Sequence, residues 1–96
     1  MAYEIILSKR ALKNIAAAVE YYEKQLQGLG KRFAIEVDNA LQAIANMPTA
    51  YSYRYKQVRD KLVRKFPYLI FFTINEKKQT VTVLSVFHTS QKPFWA

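Results

Sequence analysis

Cysteine is absent from this sequence of 96 residues, and glycine, proline and histidine are scarce. Without thiols there is no disulfide bridge, no thiolate metal site and no cysteine nucleophile. One histidine among scattered acidic residues also argues against zinc, so we expect neither a metal nor another cofactor. No apolar run approaches the roughly 20 residues that span a bilayer, and the first ten residues lack the order of a signal peptide. We therefore expect a cytoplasmic protein that does not act at membranes.

Positive charge is what the chain has in excess. Fifteen basic and seven acidic residues give a formal net charge of +8. Hydrophobic residues make up 51% of the chain and aromatic residues 15%, which argues against disorder. The length predicts one domain, residues 1–96, with a modest core. The charge favours a partner that carries phosphates or an acidic surface, and a merely soluble basic surface is the alternative.

The first half has the pattern of a short strand followed by a helical hairpin. Residues 3–7 predict a strand, and the side chain of Ser8 is suited to cap the next helix. Apolar residues then recur at helical spacing in two stretches. Gly28 is the expected stop of the first helix, and Pro48 predicts that the second ends near residue 46 or 47. A turn this short predicts antiparallel packing.

The second half predicts the sheet that covers those helices. Residues 49–57 are typical of a loop or a short irregular strand, and strands are expected at about 58–65, 68–75 and 80–88. The middle strand is apolar on both faces, as a central strand is. We predict an α+β fold with the N-terminal helical hairpin on one face of a twisted antiparallel β-sheet, which the first strand joins. The opposite face is expected to be open and to carry the function.

Six cations and one acid, Asp60, lie between residues 54 and 65, so this segment carries a net charge of +5. The cations are Arg54, Lys56, Arg59, Lys61, Arg64 and Lys65. Strand alternation puts Arg59, Lys61 and Lys65 on one side and Arg64 on the other, unless a bulge reverses the order.

Tyrosines 51, 53 and 55 interleave with these cations. Such rings stack on RNA bases, or alternatively pack over the helical hairpin.

His88 stands at the end of the last predicted strand. A histidine there is a candidate general acid or base near neutral pH. The alternative is a structural strand terminus, because the sequence shows no partner that would orient the ring. Phe94 and Trp95 either seal the sheet edge or form a contact point. We add Lys92 and Trp95 to the six cations as expected target-binding residues.

Short motifs in a fixed order carry a family resemblance over nearly the whole chain. They comprise Ser8, Ala11, Ile15 and Tyr21-Tyr22, then Leu29-Gly30, Phe33, Ala40-Leu41 and Ile44, then Pro48 and Tyr51, and last Val58-Arg59, Phe66-Pro67-Tyr68 and His88. With these, the chain resembles the RelE/ParE superfamily of bacterial toxins from type II toxin–antitoxin systems. The ParE-like, plasmid-stabilisation branch is the most similar.

The resemblance implies a helical hairpin against a curved antiparallel sheet. It also implies an acidic cognate antitoxin, encoded nearby, which wraps the toxin in a hetero-oligomer. ParE-like members inhibit DNA gyrase, whereas RelE-like members bind the ribosome and cut mRNA through attack of a ribose 2′-hydroxyl on the adjacent phosphate.

The resemblance therefore leaves three interpretations. The first is a growth-inhibiting gyrase toxin without chemistry of its own. The second is a ribosome-dependent mRNA endoribonuclease with Arg59, Arg64 and His88 as catalytic residues, aided by Lys61. Gln91 stands where many relatives have arginine, and the aromatic tail has no phenol, which counts against this enzyme. The third is an inactive homologue or a basic binding module.

Overall fold

Residues 2–91 are described by the computed structural model, and within them one strand is followed by two helices and then by four strands. A short 3-10 helix, Pro48–Ala50, follows the second helix. The elements are β1 (Glu4–Leu7), α1 (Lys9–Gln25), α2 (Leu29–Asn46), β2 (Tyr53–Tyr55), β3 (Val58–Leu62), β4 (Tyr68–Asn75) and β5 (Thr80–His88). No helix in this part of the chain is long and apolar enough to cross a lipid bilayer.

The five strands form one sheet in the order β1-β5-β4-β3-β2. The pairs β2·β3, β3·β4 and β4·β5 are antiparallel, as predicted. β1 joins the sheet as expected but runs parallel to β5, with Ile5 opposite Val81. The sheet is therefore mixed. A parallel neighbour needs a long connection, and here the connection from β1 to β5 includes the helices and the other three strands.

A bulge in β5 provides the attachment for α1. The pairing of β4 with β5 shifts between Phe71 and Phe72, so that Leu84 is skipped in the register. The Ser8 hydroxyl donates to the carbonyl oxygen of Leu84 at 2.9 Å, and the amide of Val86 donates to Oδ1 of Asn14 at 3.0 Å. Ser8 also accepts from the amide of Ala11, the cap predicted from the sequence. The start of α1 is thus fixed to β5 by side-chain hydrogen bonds.

The hydrophobic core lies between the helical hairpin and one face of the sheet. Phe33 and Ile44 of α2 are fully buried against Ile70 and Phe72 of β4. From α1 only small side chains, such as Ala11, are fully covered. Since burial of apolar surface is the main stabilising term in a domain of this size, α2 contributes the larger part of the helical share of the core.

The helix ends lie close to their predicted positions. α2 ends at Asn46, as expected. α1 ends at Gln25, and Gly28 lies at the cap of α2 with a left-handed φ of 89°, so it turns the chain between the helices rather than ending the first one. The Glu23 carboxylate accepts hydrogen bonds from the amides of Gly28 (2.9 Å) and Gly30 (3.0 Å), which closes the turn.

Two expectations about the sheet are wrong. β3 ends at Leu62 rather than at residue 65, because Lys65 has a left-handed φ of 70° and the chain turns before β4. The face opposite the helices is closed at its centre, where Phe71 and Ser85 are 2% and 4% exposed. The Phe71 ring lies 4.8 Å from that of Phe87.

Gly30 marks the closest approach of the two helices. A Cβ atom at this position would lie 2.6 Å from the carbonyl oxygen of Val19 in α1. We expect Gly30→Ala to lower the free energy of unfolding by about 1–3 kcal/mol, as overpacking does, although alanine favours helix by about 1 kcal/mol. Urea denaturation followed by circular dichroism measures this change. Gly28→Asn is the control, because its site is open and asparagine tolerates a left-handed backbone. Equal stability of the Gly30→Ala variant and the wild type would contradict the close contact.

Candidate target-binding surface

Arg59 holds the segment that leads into β2. It lies opposite Phe72 in the register, which places it on the helix-facing side of the sheet. Its Nη1 donates to the carbonyl oxygen of Tyr51 at 2.6 Å and weakly to that of Thr49 at 3.4 Å. Its Nη2 donates to the Tyr53 hydroxyl at 2.8 Å, and the guanidinium lies 4.0 Å from the centre of the Tyr53 ring. These donors are engaged within the fold.

Arg54 lies on the other side of the sheet. Its Nε donates to Oδ2 of Asp60 at 2.7 Å, and the Asp60 side chain is largely covered. Arg54 also borders a cleft of about 160 Å³, which Phe71, Phe87 and His88 line as well. Two of the predicted site residues, Arg54 and His88, therefore share one cleft. The acid that sequence analysis found among the six cations therefore neutralises one of them.

Three further cations lie beside α2: Lys61 near the end of β3, and Arg64 and Lys65 in the turn between β3 and β4. Lys61 and Arg64 line one cleft of about 170 Å³ against α2, and Lys65 lines a second of about 240 Å³ at the start of that helix. The Lys61 ammonium is 5.0 Å from the centre of the Tyr51 ring. Lys56 occupies the turn between β2 and β3, with its ammonium 5.2 Å from the Tyr55 ring. The predicted basic cluster is thus divided among separate surfaces.

His88 caps the turn that follows β5. Its Nδ1 accepts from the amide of Ser90 at 3.0 Å, and the Ser90 hydroxyl lies 2.7 Å from the same nitrogen. Its own amide donates to Oε1 of Gln91 at 3.0 Å. The imidazole meets the Tyr68 ring edge-on at 5.3 Å. One ring nitrogen is therefore taken up by a local hydrogen bond.

The three residues predicted as catalytic do not meet in one pocket. Arg59 and His88 lie on the two strands that flank β4, where Arg59 pairs with Phe72 and His88 with Tyr68. Two strand spacings and four residues along β4 correspond to roughly 16 Å between the Cα atoms of Arg59 and His88. The buried side chains of Ile70 and Val86 lie in the sheet between them. Arg64 is in the turn after β3 and lines the cleft against α2.

The Phe66-Pro67-Tyr68 motif belongs to an aromatic cluster that contacts His88 through Tyr68. The rings of Tyr22 and Phe66 are 4.9 Å apart, as are those of Phe33 and Tyr68. Burial, aided by the neighbouring Tyr21, raises the pKa of Tyr22 above its ordinary value. Burial and then the nearby Tyr22 and Tyr21 raise the pKa of Tyr68 in the same way.

Sequence analysis missed the contribution of α2 to this surface. Arg32 and Glu36 line the clefts beside Lys65 and Lys61, and their spacing of four residues was the available signal. Lys92 and Trp95, predicted to bind the target, lie outside the described residues. Among residues 2–91 no three histidine, cysteine, aspartate or glutamate side chains gather closely enough to hold a metal ion.

Comparison with known protein families identifies the family of this chain. A family model described as the ParE toxin of the type II toxin–antitoxin system parDE matches residues 5–93. The chain belongs to this family of ParE toxins. The sequence of this ParE-family toxin matches no curated protein.

Solved structures share its fold. A chain of the chromosomal ParDE toxin–antitoxin system from P. aeruginosa aligns with a TM-score of 0.78 at 10% identity, over 91% of this chain and 96% of that one. A chain of the intact E. coli RelBE toxin–antitoxin complex aligns with a TM-score of 0.70 at 20% identity, over 94% and 100%. A chain of the RelBE2 complex from Mycobacterium tuberculosis gives 0.66 at 16%, over 95% of each. The ParE-family toxin therefore has the fold common to ParE and RelE proteins, the fold class predicted from its sequence.

The raised pKa values of Tyr22 and Tyr68 predict loss of stability in alkali. Both rings are neutral below their ordinary pKa of 10.0. Above it the unfolded chain loses these protons first, so the free energy of unfolding falls as the pH rises through the folded pKa values. Urea midpoints at pH 9 and pH 11 measure the fall. The double variant Tyr22→Phe/Tyr68→Phe should show a smaller fall than the wild type, and an equal fall would contradict the assignment.

Proposed function

We propose that this chain is a growth-inhibiting toxin that binds DNA gyrase and blocks it without chemistry of its own. The match of residues 5–93 to the ParE toxin family supports this proposal. The separation of Arg59 from His88 is the structural observation that carries it.

Cleavage of mRNA by a 2′-hydroxyl needs a base, an acid and cations around one phosphate. In the described chain the imidazole is hydrogen bonded to Ser90, while the Arg59 guanidinium serves the carbonyl of Tyr51 and the hydroxyl of Tyr53. Recruiting both to one phosphate would require rearrangement of two turns. Binding to a protein target requires no such convergence, which favours inhibition by contact.

A cognate antitoxin completes the proposal. The E. coli RelBE structure is described as an intact toxin–antitoxin complex, and the P. aeruginosa relative belongs to a ParDE system. The net charge of +8 favours an acidic partner. We therefore propose that an acidic antitoxin, encoded nearby and folding on binding, neutralises this chain in a hetero-oligomer.

Ribosome-dependent mRNA cleavage is the second candidate. Lys61 and Arg64 line one cleft, so two of the predicted cations do lie together, and the fold is shared with E. coli RelE. The third candidate is an inactive homologue that binds an acidic partner but does not stop growth.

Pulse labelling after induction of the chain alone in bacteria tests the proposed target. We expect thymidine incorporation to fall within the first minutes while methionine incorporation persists, because blocked gyrase stops replication before translation. A first fall in methionine incorporation would instead indicate mRNA cleavage. Continued incorporation of both, with abundant folded protein, would favour the inactive homologue.

Substitution of His88 separates contact from catalysis. We expect His88→Ala to retain growth inhibition, measured as colony formation under induction, because the imidazole makes a local hydrogen bond in this turn and performs no chemistry. Ser90→Ala is the matched control, since it removes the hydroxyl beside Nδ1 but keeps the ring. Loss of inhibition in His88→Ala but not in Ser90→Ala, with both variants folded by circular dichroism, would sink the contact mechanism.

A further inference from the structure

We infer that this toxin binds its target protein through a groove between α2 and the β3–β4 turn. The segment of the target that binds in this groove is acidic and carries an apolar side chain. We call this surface the α2 groove, lined chiefly by Leu29, Arg32, Ile35, Lys65 and Phe66. The inference rests on the proposed function and states which part of the chain performs it.

The α2 groove is long enough for a segment of several residues. Its cleft of about 240 Å³ adjoins the cleft of about 170 Å³ lined by Lys61 and Arg64, because Glu36 borders both. The lining residues on the helix run from Leu29 to Ala43. At 1.5 Å per residue this stretch is about 21 Å long. A peptide segment of a partner could lie along the helix over that distance.

Apolar side chains distinguish the α2 groove from a phosphate-binding surface. Leu29, Ile35 and Phe66 line its larger cleft, and Ile35 is 48% exposed although it lies on a helix that supplies much of the core. A nucleic-acid backbone gains little from such a lining, since its contacts are made chiefly by cations and polar groups. A protein side chain inserted beside Ile35 and Phe66 would remove apolar surface from water.

Cations without ion pairs define the charge of the expected partner. Arg32, Lys61, Arg64 and Lys65 border the two clefts, and Glu36 is the acid among them. Within residues 2–91 none of these four cations is in a salt bridge, whereas Arg54 and Lys24 are. The surplus of positive charge complements carboxylates placed on either side of an inserted apolar side chain.

The turn between β3 and β4 places an exposed cation at the rim of the α2 groove, because Lys65 lines its larger cleft. The backbone of Lys65 is left-handed, with a φ of 70°, as it also is at Lys56 (φ 49°) and Gln79 (φ 54°) in two other turns. This conformation costs more for lysine than for glycine. Glycine can therefore replace Lys65 without strain, which makes the charge removable by substitution.

Two matched pairs of variants test the inference by inhibition of purified DNA gyrase in a supercoiling assay. Ile35→Ser removes the apolar lining without changing charge, and Leu12→Ser is its control on the exposed part of α1. Lys65→Gly removes charge and strain together, and Gln79→Gly is its control at a left-handed position (φ 54°) in the β4–β5 turn.

We expect Ile35→Ser and Lys65→Gly each to raise the half-inhibitory concentration about tenfold, as loss of an interface hot spot does. The controls should stay within about twofold of the wild type, the change typical of contacts outside a hot spot. Both glycine variants should unfold at a temperature no lower than that of the wild type, because each relieves a strained turn. Inhibition by Ile35→Ser and Lys65→Gly at wild-type concentrations would overturn the inference.

Capture of the antitoxin tests whether the α2 groove binds the antitoxin instead of the target. Each tagged variant is co-expressed with the product of the adjacent reading frame, and we expect capture at the wild-type level. Loss of capture by Ile35→Ser and Lys65→Gly with intact gyrase inhibition would assign the α2 groove to the antitoxin and overturn the inference. Failure of the wild type itself to inhibit gyrase would sink the proposed function, and the inference with it. Failure of the inference alone is recognised by full inhibition from both wild type and groove variants.

Discussion

The close contact of α1 and α2 at Gly30 is the constraint on which the rest of the structure depends. A missing side chain lets the backbone of α2 approach the Val19 carbonyl, and the Glu23 carboxylate fixes the turn by accepting from two amides. This contact sets where α2 can lie on the sheet. The position of α2 in turn decides that Phe33 reaches the aromatic cluster and that Arg32 lies beside the β3–β4 turn. Packing in the core and the shape of the basic surface thus have one origin.

The cations illustrate how strand pairing distributes charge. Neighbours along β3 point to opposite faces, so Asp60 meets Arg54 on one side while Arg59 and Lys61 lie on the other. Arg59 then donates a hydrogen bond to the carbonyl oxygen of Tyr51, in the segment before β2. A segment with a net charge of +5 therefore behaves as several small sites. The sheet disperses the charge, and the groove beside α2 brings part of it together again.

Local signals in the sequence were sufficient for most of the fold. The cap at Ser8, the helix end before Pro48 and the central position of β4 follow from hydrogen-bonding capacity and periodicity, which are properties of neighbouring residues. The parallel pairing of β1 with β5 could not be predicted in this way, because it depends on which edge of the finished sheet is free. The end of β3 at Leu62 was missed since a lysine gives no sign of a left-handed backbone. The site was less predictable than the fold: the partners of Arg59 and the proximity of Arg32 to Lys65 arise from contacts between distant segments.

The placement of β5 has a consequence for biosynthesis. β5 lies between β1 and β4, so the sheet is divided until this strand is in place, and residues 4–7 find their partners only at residues 80–83. Contacts so far apart in sequence carry a large entropy of loop closure and form late. A ribosome that has released only the helices and the first hairpin therefore holds a chain with an exposed apolar face and no finished surface. Until β5 has left the ribosome, the nascent chain therefore cannot complete its fold.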